Sequence, residues 1–98
     1  RAGMRPRSIH APRASLVAVE NTHNGAGGVI TPVDELRAIA DVARAAGLRV
    51  HLDGARLWNA AVASGRSPAD FAAPCETVMV SFSKGLGAPV GAVLAGSE

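Results

Sequence analysis

Residues Thr31 to Asp53 read TPVDELRAIADVARAAGLRVHLD, which places a helix start, a helix stop and a strand almost end to end. Thr31 suits the capping position, Pro32 the first helical position, and Asp34 sits three residues after the cap. Leu36, Ile39, Ala40, Ala43 and Ala46 recur at the i, i+3, i+4 spacing of one apolar stripe. Gly47 closes the helix, because glycine takes the left-handed conformation that ends one without steric penalty. Leu48–Asp53 then follows at once as a strand.

The same alternation continues on both sides. Upstream, SLVAVE (Ser15–Glu20) is apolar and β-branched, and it runs into the polar, glycine-rich NTHNGAGG. That is a buried strand followed by a loop. Downstream, GARLWNAAVASG reads as a helix ended by Gly65, and SPADFAA opens another helical turn with Ser67 as cap and Pro68 next. TVMVSF (Thr77–Phe82) is a third strand and VGAVLAG a fourth. Strand, helix, strand, helix, strand is the pattern of right-handed crossovers that build a parallel sheet, here expected to be covered on both faces. The last connection is too short for a crossover helix, so the fourth strand should run antiparallel to the third. The fold class is α/β: one unit with a mostly parallel sheet, crossover helices and an antiparallel last strand.

Composition narrows the function. The 98 residues are 48 % hydrophobic but only 3 % aromatic, which is a globular core built from small aliphatic side chains. No apolar run approaches the roughly 20 residues of a membrane helix. The net charge of +2 comes largely from the amino end, where Arg1, Arg5, Arg7 and Arg13 precede the first acid, Glu20. RAGMRPRSIHAPRAS lacks the apolar centre of a signal peptide, and its prolines break the amphipathic helix of a transit peptide. It also has no aromatic ring on which a nucleic-acid base would stack. Residues 1–14 are expected to form a solvated loop, with neither nucleic acid nor membrane as partner. The single cysteine, Cys75, rules out an internal disulfide and fits a reducing, cytoplasmic setting. Three histidines and one cysteine without ligand spacing argue against a metal site. The chain starts with Arg rather than Met, and is expected to be a piece of something longer.

In a parallel sheet the carboxyl-terminal strand ends share one edge, and ligands bind in the crevice outside it. The first strand ends at Glu20-Asn21-Thr22-His23, the second at Asp53 with Arg56 three residues on, and the third at Ser81-Phe82-Ser83-Lys84. Each has an ordinary structural use by itself. Asp53 and Arg56 would serve as an i, i+3 ion pair at a helix start, His23 as a polar loop residue, and His51 as a satisfied histidine of the sheet. NGAGG does not match a dinucleotide loop, and GLGAPVG is no phosphate-binding Walker loop, because its lysine precedes the glycines. Together they say more. Lys84 is the only lysine among ten basic residues; arginine stays protonated, whereas lysine can lose its proton and attack a carbonyl. A lysine and a carboxylate at neighbouring strand ends match what pyridoxal phosphate requires, an amine for its aldehyde and an acid for its pyridine nitrogen. A cation beside the acid can hold the ring oxygen or a substrate carboxylate.

At these residues, ENTHN, HLDGARLWNAA and SFSKGLGAPVGAVLAG, the chain resembles the threonine aldolases. These belong to the aromatic amino acid β-eliminating lyase group of fold-type I pyridoxal phosphate enzymes. The likeness runs from about Ser15 onward, with the motifs in family order. It implies that Lys84 forms the Schiff base with the cofactor, that Asp53 partners the pyridine nitrogen, and that Arg56 lies near the ring oxygen and the substrate carboxylate. Ser81 and Ser83 are candidate phosphate contacts, and His23 lines the pocket. The implied reaction cleaves a β-hydroxy-α-amino acid such as L-threonine or L-allo-threonine to glycine and an aldehyde. The group that takes the β-hydroxyl proton stays open among His23, a water held by it and a residue outside this chain. The family works as an oligomer, so a homo-oligomer is implied for the full-length protein.

Two parts of the family pattern have no counterpart in this chain: the upstream loop that holds the cofactor phosphate, and the downstream small domain with a further substrate arginine. The chain is therefore expected to be a fragment of the large domain, inactive by itself. Two other readings use the same residues. One is a different fold-type I enzyme, a β-eliminating lyase or an aminotransferase. The other is a non-catalytic α/β module in which Lys84 is structural or meets a phosphorylated partner.

Overall fold

The computed structural model of the chain describes Ile9 and residues 11–97; the arginines at positions 1, 5 and 7, and most of the expected amino-terminal loop, lie outside them. The elements run β1 (Leu16–Glu20), a short 3-10 turn (Asn24–Ala26), α1 (Val33–Ala45), β2 (Arg49–Gly54), α2 (Leu57–Ser64), α3 (Pro68–Ala72), β3 (Thr77–Ser81) and β4 (Ala92–Gly96). They form one sheet in the order β1-β2-β3-β4. β1, β2 and β3 are parallel, and β4 is antiparallel to β3. Among the described residues no helix is long and apolar enough to cross a membrane.

The helix stop at the centre of the sequence forms as its residues dictate. Gly47 takes φ 72°, its N–H donates to the Arg44 carbonyl, and the Leu48 N–H donates to the Ala43 carbonyl. That pair of bonds is the Schellman closure, and the buried Leu48 packs in one cluster with Ala43. Ser67 caps α3 through a complete capping box with Asp70. The start of α1 differs from the sequence reading. Pro32 occupies the cap position and Thr31 makes no capping bond, because the buried Asn21 takes both backbone groups of Thr31. Its side-chain amide donates to the Thr31 carbonyl at 2.9 Å, and its carbonyl accepts the Thr31 N–H at 3.1 Å.

The core lies on one face of the sheet. Val33 and Leu36 of α1, Leu57 and Ala60 of α2 and Phe71 of α3 pack around Leu52, with Val19, Val78 and Val80 against them. Ala40, Ala43, Leu48 and Val50 extend it toward the strand starts. Cys75 touches both clusters, and burial pushes its thiol up to about 11, with Glu76 adding to the shift and Arg44 opposing it. The thiol is no nucleophile at neutral pH.

The expectation of helices on both faces is therefore corrected for the described residues. Strand order follows chain order, so both crossovers step in the same direction, and crossovers of one hand then fall on one face. The opposite face presents Leu16 and Ala18 of β1, His51 and Asp53 of β2, Thr77 and Met79 of β3, and Leu94 of β4. Leu94 is 68 % exposed.

Candidate active site

Parallel pairing sets the site. Glu20 is the register partner of Asp53, and Asp53 of Met79, so the ends of β1, β2 and β3 are level at one edge. The Asn21 N–H donates to the Asp53 carbonyl at 3.0 Å, which carries the ladder one step past β1. Each strand then opens into a loop or helix start bearing the polar residues of its motif.

Asp53 is the next-to-last residue of β2, half-buried on the face without helices. One carboxylate oxygen accepts the Ala55 N–H at 3.1 Å. Among the described residues the other has no hydrogen-bond partner, and Asp53 and Arg56 form no ion pair. The simple helix-start pair is therefore not what these residues make; Arg56 instead occupies the cap position of α2. His51, two residues before Asp53 on the same face, is satisfied by the Thr77 hydroxyl at 2.7 Å from Nδ1.

Ser81, buried at the end of β3, lies 3.1 Å from the hydroxyl of Ser83. Lys84 follows in an exposed turn closed by the Gly87 N–H on the Lys84 carbonyl at 3.0 Å. The loop is anchored beyond that turn by Phe82, whose N–H donates to the Gly91 carbonyl and whose carbonyl accepts the Ala88 N–H. Gly85 lies against α2, where a Cβ would stand 2.7 Å from the Asn59 Oδ1.

His23 stands at the head of the loop after β1. Its Nδ1 accepts the Ala26 N–H at 3.0 Å, capping the 3-10 turn. Its Nε2 is 3.6 Å from a carboxylate oxygen of Glu20. Glu20 also accepts the Asn24 N–H at 3.3 Å.

The sequence-level candidates thus gather at one edge: Asp53, Arg56, Ser81, Ser83, Lys84 and His23, with Glu20 beside them. Reading the sequence missed Glu20 as a partner for His23, although their i, i+3 spacing was visible. It also missed Asn21, whose job depends on Thr31, ten residues away. A cavity of about 520 Å³ opens on the helix side, between the loop after β1, α2 and Gly85. The Trp58 indole N–H in its wall is buried without a hydrogen-bond partner among the described residues.

These residues fit pyridoxal phosphate in their donor set. An aspartate with one oxygen held and one open can keep a pyridine nitrogen protonated. Glu20 and Asp53 are acids on adjacent strands in register, an arrangement that favours a cation close by. Two neighbouring hydroxyls and a lone lysine complete the set on β3 and its loop.

Comparison with known proteins places the chain in a family. The family model for beta-eliminating lyases matches residues 1–98. The low-specificity L-threonine aldolase of Candida albicans is 44 % identical over 90 residues, covering 92 % of this chain and 23 % of that protein. The alanine racemase TOXG of Cochliobolus carbonum is 42 % identical over 90 residues, covering 92 % of this chain and 22 % of its own. The solved threonine aldolase of Leishmania major superimposes with a TM-score of 0.73 at 28 % identity, over 90 % of this chain and 26 % of that one. The chain spans about a quarter of the length of the relatives it matches. With its motifs in order at the carboxyl edge of a mixed sheet, the chain belongs to the beta-eliminating lyase family, a group of pyridoxal-phosphate-dependent enzymes that includes the threonine aldolases.

Proposed function

We propose that this chain is the lysine-bearing part of a pyridoxal-phosphate-dependent lyase that cleaves L-threonine or L-allo-threonine to glycine and acetaldehyde. The observation that carries the reading is Asp53: an acid at the end of β2, with one oxygen held by Ala55 and the other open, level with the strand that leads into Lys84. Pyridoxal phosphate, when bound, supplies an aldehyde and an electron-withdrawing ring that stabilises negative charge at the substrate Cα. Lys84 would hold the aldehyde through its side-chain amine. Asp53 keeps a proton on the pyridine nitrogen through its open oxygen. Arg56 binds the ring oxygen or the substrate carboxylate, and Ser81 and Ser83 donate to phosphate. His23, at the head of the loop after β1, is the residue of this chain offered for contact with the β-hydroxyl. The full-length protein is proposed as a cytoplasmic homo-oligomer acting on a small amino-acid substrate, with the phosphate loop and a further carboxylate-binding arginine outside this chain.

The test is direct. Full-length protein is loaded with pyridoxal phosphate, reduced with borohydride and digested, and the pyridoxyl group is located by mass spectrometry. A mark on Lys84 is expected, with glycine and acetaldehyde released from threonine by the unreduced enzyme. A mark on another lysine, or none, overturns the reading. The likeness to a protein named as an alanine racemase supports a second reading, in which the same lysine and aspartate serve proton exchange at Cα. Loss of optical activity from L-alanine, without aldehyde release from threonine, would favour it.

A further inference from the structure

Asn21 carries more contacts than the end of a strand requires. Its side chain is fully buried, and its partners fix its orientation. The Thr31 carbonyl can only accept and the Thr31 N–H can only donate. The amide nitrogen therefore faces the first at 2.9 Å and the amide oxygen the second at 3.1 Å. The side chain pairs with Thr31 as a neighbouring strand would. Its backbone N–H meanwhile donates to the Asp53 carbonyl at 3.0 Å. One residue thus fixes the end of β2 on one side and the return of the loop on the other. The loop is closed again just above: the His23 N–H donates to the Val29 carbonyl and the Gly28 N–H to the His23 carbonyl, both at 2.9 Å. Thr22, between the two closures, is buried. Loosening the lower closure would leave the loop hinged where it departs from β1.

We propose that Asn21 is a positioning residue of the active site, holding the loop of residues 22–30 at one place relative to Asp53 so that a bound ligand meets the two in a preset arrangement. This rests on the functional reading above, in which the edge carrying Asp53 and Lys84 binds pyridoxal phosphate and substrate. Stability alone does not call for an amide here. Exchanging a buried polar pair for apolar groups of the same shape is close to neutral, whereas a fully satisfied polar pair admits a single geometry. Leucine has the size but neither group, aspartate lacks the donor at neutral pH, and glutamine carries its amide one methylene too far. Asn21 acts through Asp53 and the loop rather than on the ligand itself. Its loss is felt as misplacement, and about 1 Å of that can cost roughly a hundredfold in rate.

The experiment uses full-length protein loaded with pyridoxal phosphate, with rates counted per loaded site. Asn21→Ala should lower kcat/KM about ten- to a hundredfold while cofactor content stays near wild type, since Lys84 and Asp53 are intact. Asn21→Asp separates position from packing. Its carboxylate repels the Thr31 carbonyl; protonated, it donates to that carbonyl and accepts the N–H as the amide does. Burial favours the neutral form, so its kcat/KM, as a ratio to wild type at the same pH, should recover as pH falls from about 8.5 to about 6. In the wild type, hydrogen exchange resolved to single residues should show the Thr31 N–H as protected as the Asn21 N–H. Fast exchange at Thr31 overturns the proposal and needs no variant to fold. So does an Asn21→Asp ratio that does not change with pH. A loss confined to cofactor content and urea stability, with wild-type kcat/KM per loaded site, overturns it as well, because Asn21 would then serve packing alone. A wild type that takes up no pyridoxal phosphate overturns the functional reading first, and the role of Asn21 with it.

Discussion

Gly54 and Gly85 show how differently two glycines of the motifs are constrained. A Cβ on Gly54 would sit 2.7 Å from the Met79 backbone carbonyl and 3.1 Å from Leu57 Cβ. A backbone carbonyl in a paired strand cannot step aside, so Gly54→Ala must push the end of β2 from β3 and carry Asp53 with it. We expect a loss of about 1–3 kcal/mol in urea unfolding of the full-length protein, together with weaker uptake of pyridoxal phosphate. On Gly85 the obstacle at 2.7 Å is the end of the Asn59 side chain, which can rotate. Gly85→Ala should therefore unfold close to wild type. The reverse order of the two variants would refute this account of the edge. Asp53 and Lys84 were legible in the sequence because a charge at the end of an apolar run stands out. The constraint on Gly54 was not, since it comes from a strand that begins more than twenty residues later.

Elements were readable where the signal is local. Gly47 after a periodic stripe, and Ser67 before Pro68, name a helix end and a helix start from a few adjacent residues, and both form. Thr31 looked equally suited to its cap, but a distant amide had claimed it. Glu76 is a second long-range device, set at the start of β3. One carboxylate oxygen accepts the Val50 N–H, and the other accepts Arg44 Nε at 2.8 Å. An Arg44 guanidinium nitrogen also donates to the Pro74 carbonyl. The side chain thus ties α1 and β2 to β3. The Val50 N–H, then Arg44, hold the Glu76 carboxyl below its usual range. A depressed folded value means that the stabilisation is fully present above the unfolded carboxylate pKa, near 4.3, and is lost as pH falls through the folded one. Because the side chain is partly exposed, Glu76→Gln should cost only about 1 kcal/mol at pH 7 in the full-length protein. The gap between variant and wild type should close as unfolding is repeated at pH 4 and then pH 3. A gap that persists to pH 3 would show that charge is not what Glu76 contributes.

At the scale of the molecule, the alternation of strands and helices disclosed the sheet, its parallel centre and its antiparallel last strand. It did not disclose how many faces this chain can cover, because that follows from strand order. One face carries the helices, and the other carries Leu16, Met79 and Leu94 with the acidic edge beside them. Among the described residues β1 and β4 also form the two outer edges of the sheet, each with a row of backbone groups open to further pairing. The 98-residue piece expressed alone is therefore expected to self-associate in light scattering and to show no aldolase turnover. A soluble monomer with full activity would contradict both the reading of the open face and the expectation that the catalytic site needs residues outside these 98.

The brace made by Asn21 has one more consequence. Its amide spans the two points where the segment bearing His23 leaves and rejoins the framework, so that segment is expected to tolerate change as a unit. Residues inserted between Gly27 and Gly28 would alter what overhangs the edge, while the two hydrogen bonds from Asn21 to Thr31 would still set the distance across the brace. Variation in ligand preference can accumulate there without disturbing the scaffold that Asp53 and Lys84 depend on.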